Sequence, residues 1–135
     1  MSLQDTYDDL DYVNGTIIIV TDNLDINALL AGVFSLNGFK CFKATSAEES
    51  IQILDEHKDK VDSMLINGKI AADRGTMLIV NARRRVNDIK IVVVAGSENA
   101  KTRVLDYGAD DFTGKSMSAE MLVNKVLPQL TKKRR

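Results

Sequence analysis

The chain has 135 residues, 44% hydrophobic and 27% charged, with a net charge of -1, an ordinary composition for one globular domain with its own core. The near-zero charge excludes a global pull toward nucleic acid or anionic membrane, and apolar runs of only a few residues exclude a bilayer-spanning helix. One cysteine, Cys41, excludes an internal disulfide framework and makes a reducing, cytoplasmic location the expectation.

Residues 1–15 are acidic and poor in branched apolar side chains, which predicts an N-terminal tail ahead of a domain spanning 16–135. Thr16 to Val20 is a run of β-branched residues that reads as a buried strand, stopped by Thr21-Asp22-Asn23. Ile26, Leu29, Leu30, Val33 and Phe34 recur at helical spacing, and Asn37-Gly38 stops the helix. Phe39 to Ala44 alternates apolar and polar, as a half-covered edge strand does. Ser46 with Glu49 forms a capping box for a helix whose apolar face is Ala47, Ile51 and Leu54. That helix ends near His57, read as a solvated surface residue.

Met64-Leu65-Ile66 is a short strand buried on both faces, and it ends in Asn67-Gly68. A loop from Gly68 to Gly75 is expected next. A helix carrying Met77, Leu78, Val80 and Asn81 follows and ends in Arg83-Arg84-Arg85. Ile89 to Val94 is another buried strand, Ala100 to Tyr107 a short helix ended by Gly108, and Ala109 to Thr113 the last strand. Ser118 caps a final helix with Met121, Leu122, Val126 and Leu127, which Pro128 is expected to end or kink near Leu127. Lys132 to Arg135 make a basic end. A five-fold βα alternation with short turns calls for a mainly parallel sheet with helices on both faces and right-handed crossovers. In such a sheet, ligands sit beyond the carboxyl ends of the strands, which puts Asn67 at the site.

Three segments carry a family resemblance. Val61-Asp62 through Gly75 has a strand-end polar residue, Asn67, with a glycine eight positions on. Gly108-Ala109-Asp110-Asp111-Phe112-Thr113-Gly114-Lys115 has a last strand followed by a lysine, and Ile18-Ile19-Val20-Thr21-Asp22 a first strand with an acidic end. In this order, they make the chain resemble the receiver domain family of response regulators from about Thr16 to Lys132. The resemblance implies a flavodoxin-like, doubly wound α/β fold with five parallel strands in the order 2-1-3-4-5. It also implies a place in two-component signal transduction.

The departures from the family pattern concern the site itself. Asn67 stands where the family has the carboxylate that accepts a phosphoryl group, and an amide oxygen is a poor nucleophile that forms no acyl phosphate. The acidic pair that helps hold Mg²⁺ is reduced to Thr21-Asp22. Ala95 replaces the hydroxyl residue that ends the fourth strand, with Ser97 two residues on as a substitute, and Ser116 replaces the proline after the retained Lys115. The family site sets three carboxylates against one lysine. Here Asp22 and Lys115 cancel, and Lys115 is expected to pair with Asp22 or bond the Asn67 carbonyl. The expectation is a degenerate phosphoacceptor site of Asn67, Thr21, Asp22, Ala95 and Lys115, with no catalysis, no cofactor and Asp22 as the residual metal candidate. Asp22 reads equally as the cap of the first helix. Asn67-Gly68 is also a dipeptide open to deamidation.

The family signals through its fourth helix, last strand and fifth helix. By position that face holds Lys101, Val104, Tyr107, Phe112, Met117 and Met121, with Phe112 the aromatic switch residue; Val104 and Met121 read equally as core. Tyr107 is the better exposed contact. The partners implied are proteins: a sensor kinase, an output domain or a second copy of the chain. Two alternatives stay open: a degenerate receiver controlled by a ligand or cation, and a nucleic-acid adaptor using Arg83-Arg84-Arg85 and the basic end.

Overall fold

The structure, a computed structural model, describes residues 12–96, 98–115 and 118–131. The N-terminal tail up to residue 11, Ser97, Ser116, Met117 and the basic end from Lys132 lie outside the described residues. Five strands alternate with five helices: β1 (Gly15–Val20), α1 (Leu24–Leu36), β2 (Phe39–Ala44), α2 (Ala47–His57), β3 (Ser63–Asn67), α3 (Lys69–Arg85), β4 (Lys90–Val94), α4 (Glu98–Asp106), β5 (Asp111–Thr113) and α5 (Ala119–Leu130). All strand pairs are parallel, in the order β2-β1-β3-β4-β5. This is the flavodoxin-like architecture.

The core divides by strand parity, because successive side chains on a strand point to opposite faces. Ile18, Val20, Met64, Ile66, Ile91 and Val93 pack toward α2, α3 and α4. Ile17, Ile19, Leu65, Val92 and Val94 pack toward Leu30 and Phe34 of α1 and Leu122, Val123 and Val126 of α5. Each such aliphatic side chain contributes about 1.5–3 kcal/mol relative to exposure. Covering both faces keeps the middles of β1, β3 and β4 apolar and confines their polar residues, Thr16, Ser63, Asn67 and Lys90, to the strand ends.

Helix starts follow the capping chemistry. The Ser46 and Ser118 hydroxyls accept from the backbone N–H of Glu49 (3.0 Å) and Met121 (3.1 Å). The Glu49 carboxylate returns to the N–H of Thr45 at 2.6 Å, one residue before the cap. Asn23, not Asp22, caps α1, its Oδ1 accepting from Ile26 N–H at 3.0 Å.

Four further expectations are corrected. The segment after Gly68 is helix from Lys69, with Gly75 inside α3 beside Val104. Gly68, at φ 75°, turns the chain directly from strand into helix, and Ile70 and Ala71 are buried while Lys69, Asp73 and Arg74 face outward. On α1 the buried stripe is Asn27, Leu30 and Phe34, while Ile26 and Leu29 are exposed. Asn27 Nδ2 donates to the carbonyls of Ile19 (3.1 Å) and Ala44 (3.0 Å) and so ties α1 to β1 and β2. Pro128 sits inside α5, which continues to Leu130. It removes only one N–H donor, near the helix end, where Asn124, four residues back, is exposed. His57 is not free in solvent: its ring stacks on Phe42 with centroids 4.7 Å apart.

Charged groups at the amino edge of the sheet are tied down. The Asp62 carboxylate accepts from Thr16 N–H at 2.8 Å. Asp110 accepts from Ile91 N–H at 2.7 Å and from Arg83 Nη2 at 2.8 Å. Arg83 also donates to the carbonyls of Gly108 and Ile89, joining α3 to the starts of β4 and β5.

Candidate functional site

The opposite, carboxyl edge carries the residues singled out in the sequence. Asn67 is the last residue of β3, Thr21 and Ala95 directly follow β1 and β4, and Lys115 follows β5. A cavity of about 450 Å³ opens here, and Thr21, Asp22, Asn67 and Lys115 line it. Ala95 is buried and does not line it. The structure therefore brings together four of the five residues.

Asn67 is the end of the central strand, with 8% of its surface exposed. Its backbone is held by the β3–β4 pairing, but its side-chain amide makes no hydrogen bond among the described residues. Thr21 is 1% exposed, and its Oγ1 accepts from Asn23 N–H at 3.3 Å. Gly68 runs against that hydroxyl, which a Cβ at Gly68 would meet at 3.6 Å. The expected contacts of Lys115 do not form: among the described residues it has no ion pair with Asp22 and no hydrogen bond with Asn67. Its Cε lies beside Gly96 instead, 3.8 Å from where a Cβ would stand. Asp22 and Lys115 are both exposed, so each is solvated where it stands, and a loose pairing between them would gain little.

The donor set does not suit Mg²⁺, which takes an octahedron of oxygens and relies on carboxylates. Asp22 is the single carboxylate on the cavity, and Lys69 and Lys115 are on it too. Among the described residues no group of three His, Cys, Asp or Glu side chains is arranged to hold a metal. Asn67 and Thr21 are the neutral polar side chains at the strand ends, beside the single carboxylate of Asp22. Such a site can donate and accept hydrogen bonds and attract an anion.

Lys69, Ile26, Leu29, Ala119 and Leu122 complete the cavity wall, and none was expected there. Lys69 lies in the segment whose sequence reads as a loop, and Ile26 and Leu29 belong to the apolar helical spacing of α1. On the α4, β5 and α5 elements, Tyr107 is 55% exposed, Met121 and Lys101 are exposed, and Phe112 is half-buried against the core. Val104, placed by position on that face, is 1% exposed and belongs to the core. Two of the three arginines of the run are engaged, while Arg84 is exposed. Arg83 is spent on Gly108, Ile89 and Asp110, and Arg85 on Asp55 (2.6 Å) and the Asn81 carbonyl (3.0 Å). Burial pushes the Cys41 thiol up, against weaker lowering by the Ser35 hydrogen bond and the Lys43 charge, so it is a small, inert, partly buried residue.

A family model described as the response regulator receiver domain matches residues 17–127. The phosphate regulon transcriptional regulatory protein PhoB of Pseudomonas aeruginosa is 27% identical over 118 residues, covering 84% of this chain and 51% of its own length. The aerobic respiration control protein ArcA of Escherichia coli is 30% identical over 108 residues, 78% of this chain and 44% of its own length. The chain thus spans about half the length of the curated relatives it matches. Among solved structures, an atypical orphan response regulator, described as revealing a phosphorylation-independent regulatory mechanism, superposes with a TM-score of 0.71 at 17% identity. It covers 85% of this chain and 94% of that one. No helix among the described residues is long and apolar enough to cross a membrane.

Proposed function

The chain belongs to the receiver domain family of two-component response regulators, and from that premise we propose that it is a member that takes no phosphate and signals by binding a protein. The observation that carries this reading is Asn67 at the end of β3, with Asp22 as the single acid on the surrounding cavity. Phosphoryl transfer depends on positioning and on stabilising charge. An amide nucleophile and a site without Mg²⁺ ligands supply neither. The module is then no enzyme, and its output is set by which partner it meets. That a neighbour of the same fold is described as phosphorylation-independent supports the idea that this architecture works without the modification.

The docking surface is α4, β5 and α5, where Tyr107, Met121 and Lys101 are exposed and Phe112 is half-buried; with no phosphorylation to switch it, Phe112 is expected to hold a single rotamer. Exposed aromatic and methionine side chains are the common anchors of such interfaces. The partner is a sensor kinase, an output domain or a second copy of the chain. The test is incubation with acetyl phosphate and Mg²⁺, read by intact mass. No phosphoryl adduct is expected, and a stable adduct in the peptide containing Asn67 would overturn the proposal.

A further inference from the structure

We infer that the cavity at the carboxyl edge is a binding site for a small organic monoanion with an apolar body, such as an aliphatic or aromatic carboxylate. This goes beyond the partner-binding reading and rests on its premise that Asn67 carries no phosphoryl group. Four features of the cavity define the ligand.

The first is the unpartnered amide. Asn67 is more than nine-tenths buried, yet its side chain lines the cavity with its donors and acceptor unused. Unlike the enclosed Ser63 and Thr113 hydroxyls, the Asn67 amide opens to the cavity, so a ligand group there replaces water on a side chain already held in place. The second is charge. Lys69 and Lys115 stand against Asp22 alone, an excess of one positive charge. The third is the backbone. The N-terminal ends of α1, α3 and α5 all reach the cavity through Asn23, Gly68 and Ser118, and α3 has no side-chain cap. Free N–H groups and the positive ends of three helix dipoles therefore face the same space. A set of carboxylates would offset this field and favour a cation; with one acid left, the field favours an anion.

The fourth is the wall. Ile26, Leu29, Leu30, Ala119 and Leu122 line one side, and Leu29 is 61% exposed. An inorganic anion would leave that wall wet, whereas an apolar body covers it. A volume of about 450 Å³ suits a small organic molecule. The carboxylate would take the Asn67 Nδ2–H and the lysine ammonium groups, and the body would lie along α1 and α5.

Titration of the isotopically labelled chain with octanoate, followed by NMR, tests the inference. Inorganic phosphate serves as the anion without a body and octanol as the body without an anion. Octanoate is expected to move the Asn67 side-chain amide and the Ile26, Leu29 and Leu122 methyl resonances saturably. Phosphate and octanol should bind about tenfold more weakly or worse. Leu29→Glu and Lys115→Gln, both at exposed positions, should each weaken octanoate binding about tenfold with the amide spectrum otherwise unchanged. The inference is overturned by any of three results: no saturable shift, octanol binding as tightly as octanoate, or the same resonances shifting on dilution alone, which would assign the wall to a second copy of the chain. Failure here leaves the acetyl phosphate mass readout unaffected, so the two proposals fall separately.

Discussion

The two edges of one sheet spend their polar groups in opposite ways. At the amino edge, Asp62, Asp110 and Arg83 each satisfy backbone groups of neighbouring elements: the N–H of Thr16, the N–H of Ile91, and the carbonyls of Gly108 and Ile89. At the carboxyl edge, the side chains of Asp22, Asn67 and Lys115 line a cavity and make no hydrogen bond or ion pair among the described residues. Neither pattern is complete. Asn27 is bonded at the carboxyl edge through its Nδ2, and Ser63 Oγ at the amino end of β3 is buried without a partner. The contrast separates two uses of polarity on one scaffold. Bonds made within the chain hold its elements in register, and unused bonds are what a ligand or partner can recruit.

Substitutions at the two edges should therefore differ in size. Arg83→Ala removes a charged clamp from two carbonyls and from Asp110, and should cost about 2–3 kcal/mol in denaturant unfolding, the largest effect of the set. A loss within the noise would mean that the clamp is decorative. Asp62→Ala strips the acceptor from Thr16 N–H and should cost about 1–2 kcal/mol by the same measurement. Asn67→Ala should change stability by less than about 0.5 kcal/mol despite its burial, because it deletes an amide with no partner. A cost near that of Asp62→Ala would show that Asn67 is structural and would erase the contrast. The smallest effect is kinetic. With burial raising the Cys41 thiol pKa, less thiolate is present at neutral pH than for a free thiol. Alkylation by iodoacetamide should be slow near pH 7 and should accelerate with pH through a midpoint above that of an unfolded control. A midpoint at or below the control would contradict it.

A gain of function sharpens the comparison further. The double variant Thr21→Asp/Asn67→Asp restores two acids beside Asp22. It should be less stable than the wild type without a divalent cation, because like charges crowd a buried site, and Mg²⁺ should restore it. Mg²⁺ should leave the melting temperature of the wild-type chain unchanged.

The strands and the caps at Ser46 and Ser118 were legible in the sequence because they rest on local rules, namely β-branched runs and a hydroxyl three residues before a free N–H, whereas the strand order was implied only by the family resemblance. The face of α1 was not. Apolar spacing fits Ile26-Leu29-Leu30-Val33 as well as Leu30-Phe34, and a count of apolar residues has no place for Asn27, which is buried because two strand-end carbonyls need its donors. The start of α3 was hidden because Lys69, Asp73 and Arg74 face outward and resemble a loop. The Arg83 clamp joins residues 25 and 27 positions apart, which no local pattern reports. At the site, residue identities were readable from the strand ends. The cavity wall was not, since it depends on two helices from opposite ends of the chain, α1 and α5, meeting over one edge.

The loss of acidity at the carboxyl edge is the central claim, and an Mg²⁺ titration of the wild-type chain tests it most directly, read at the backbone amides of Asp22, Asn67 and Gly68. Shifts that stay linear and small at millimolar Mg²⁺, no larger than those caused by the same ionic strength of sodium chloride, are predicted. A saturable shift confined to these amides would mean that the edge still holds a divalent cation and would contradict the account.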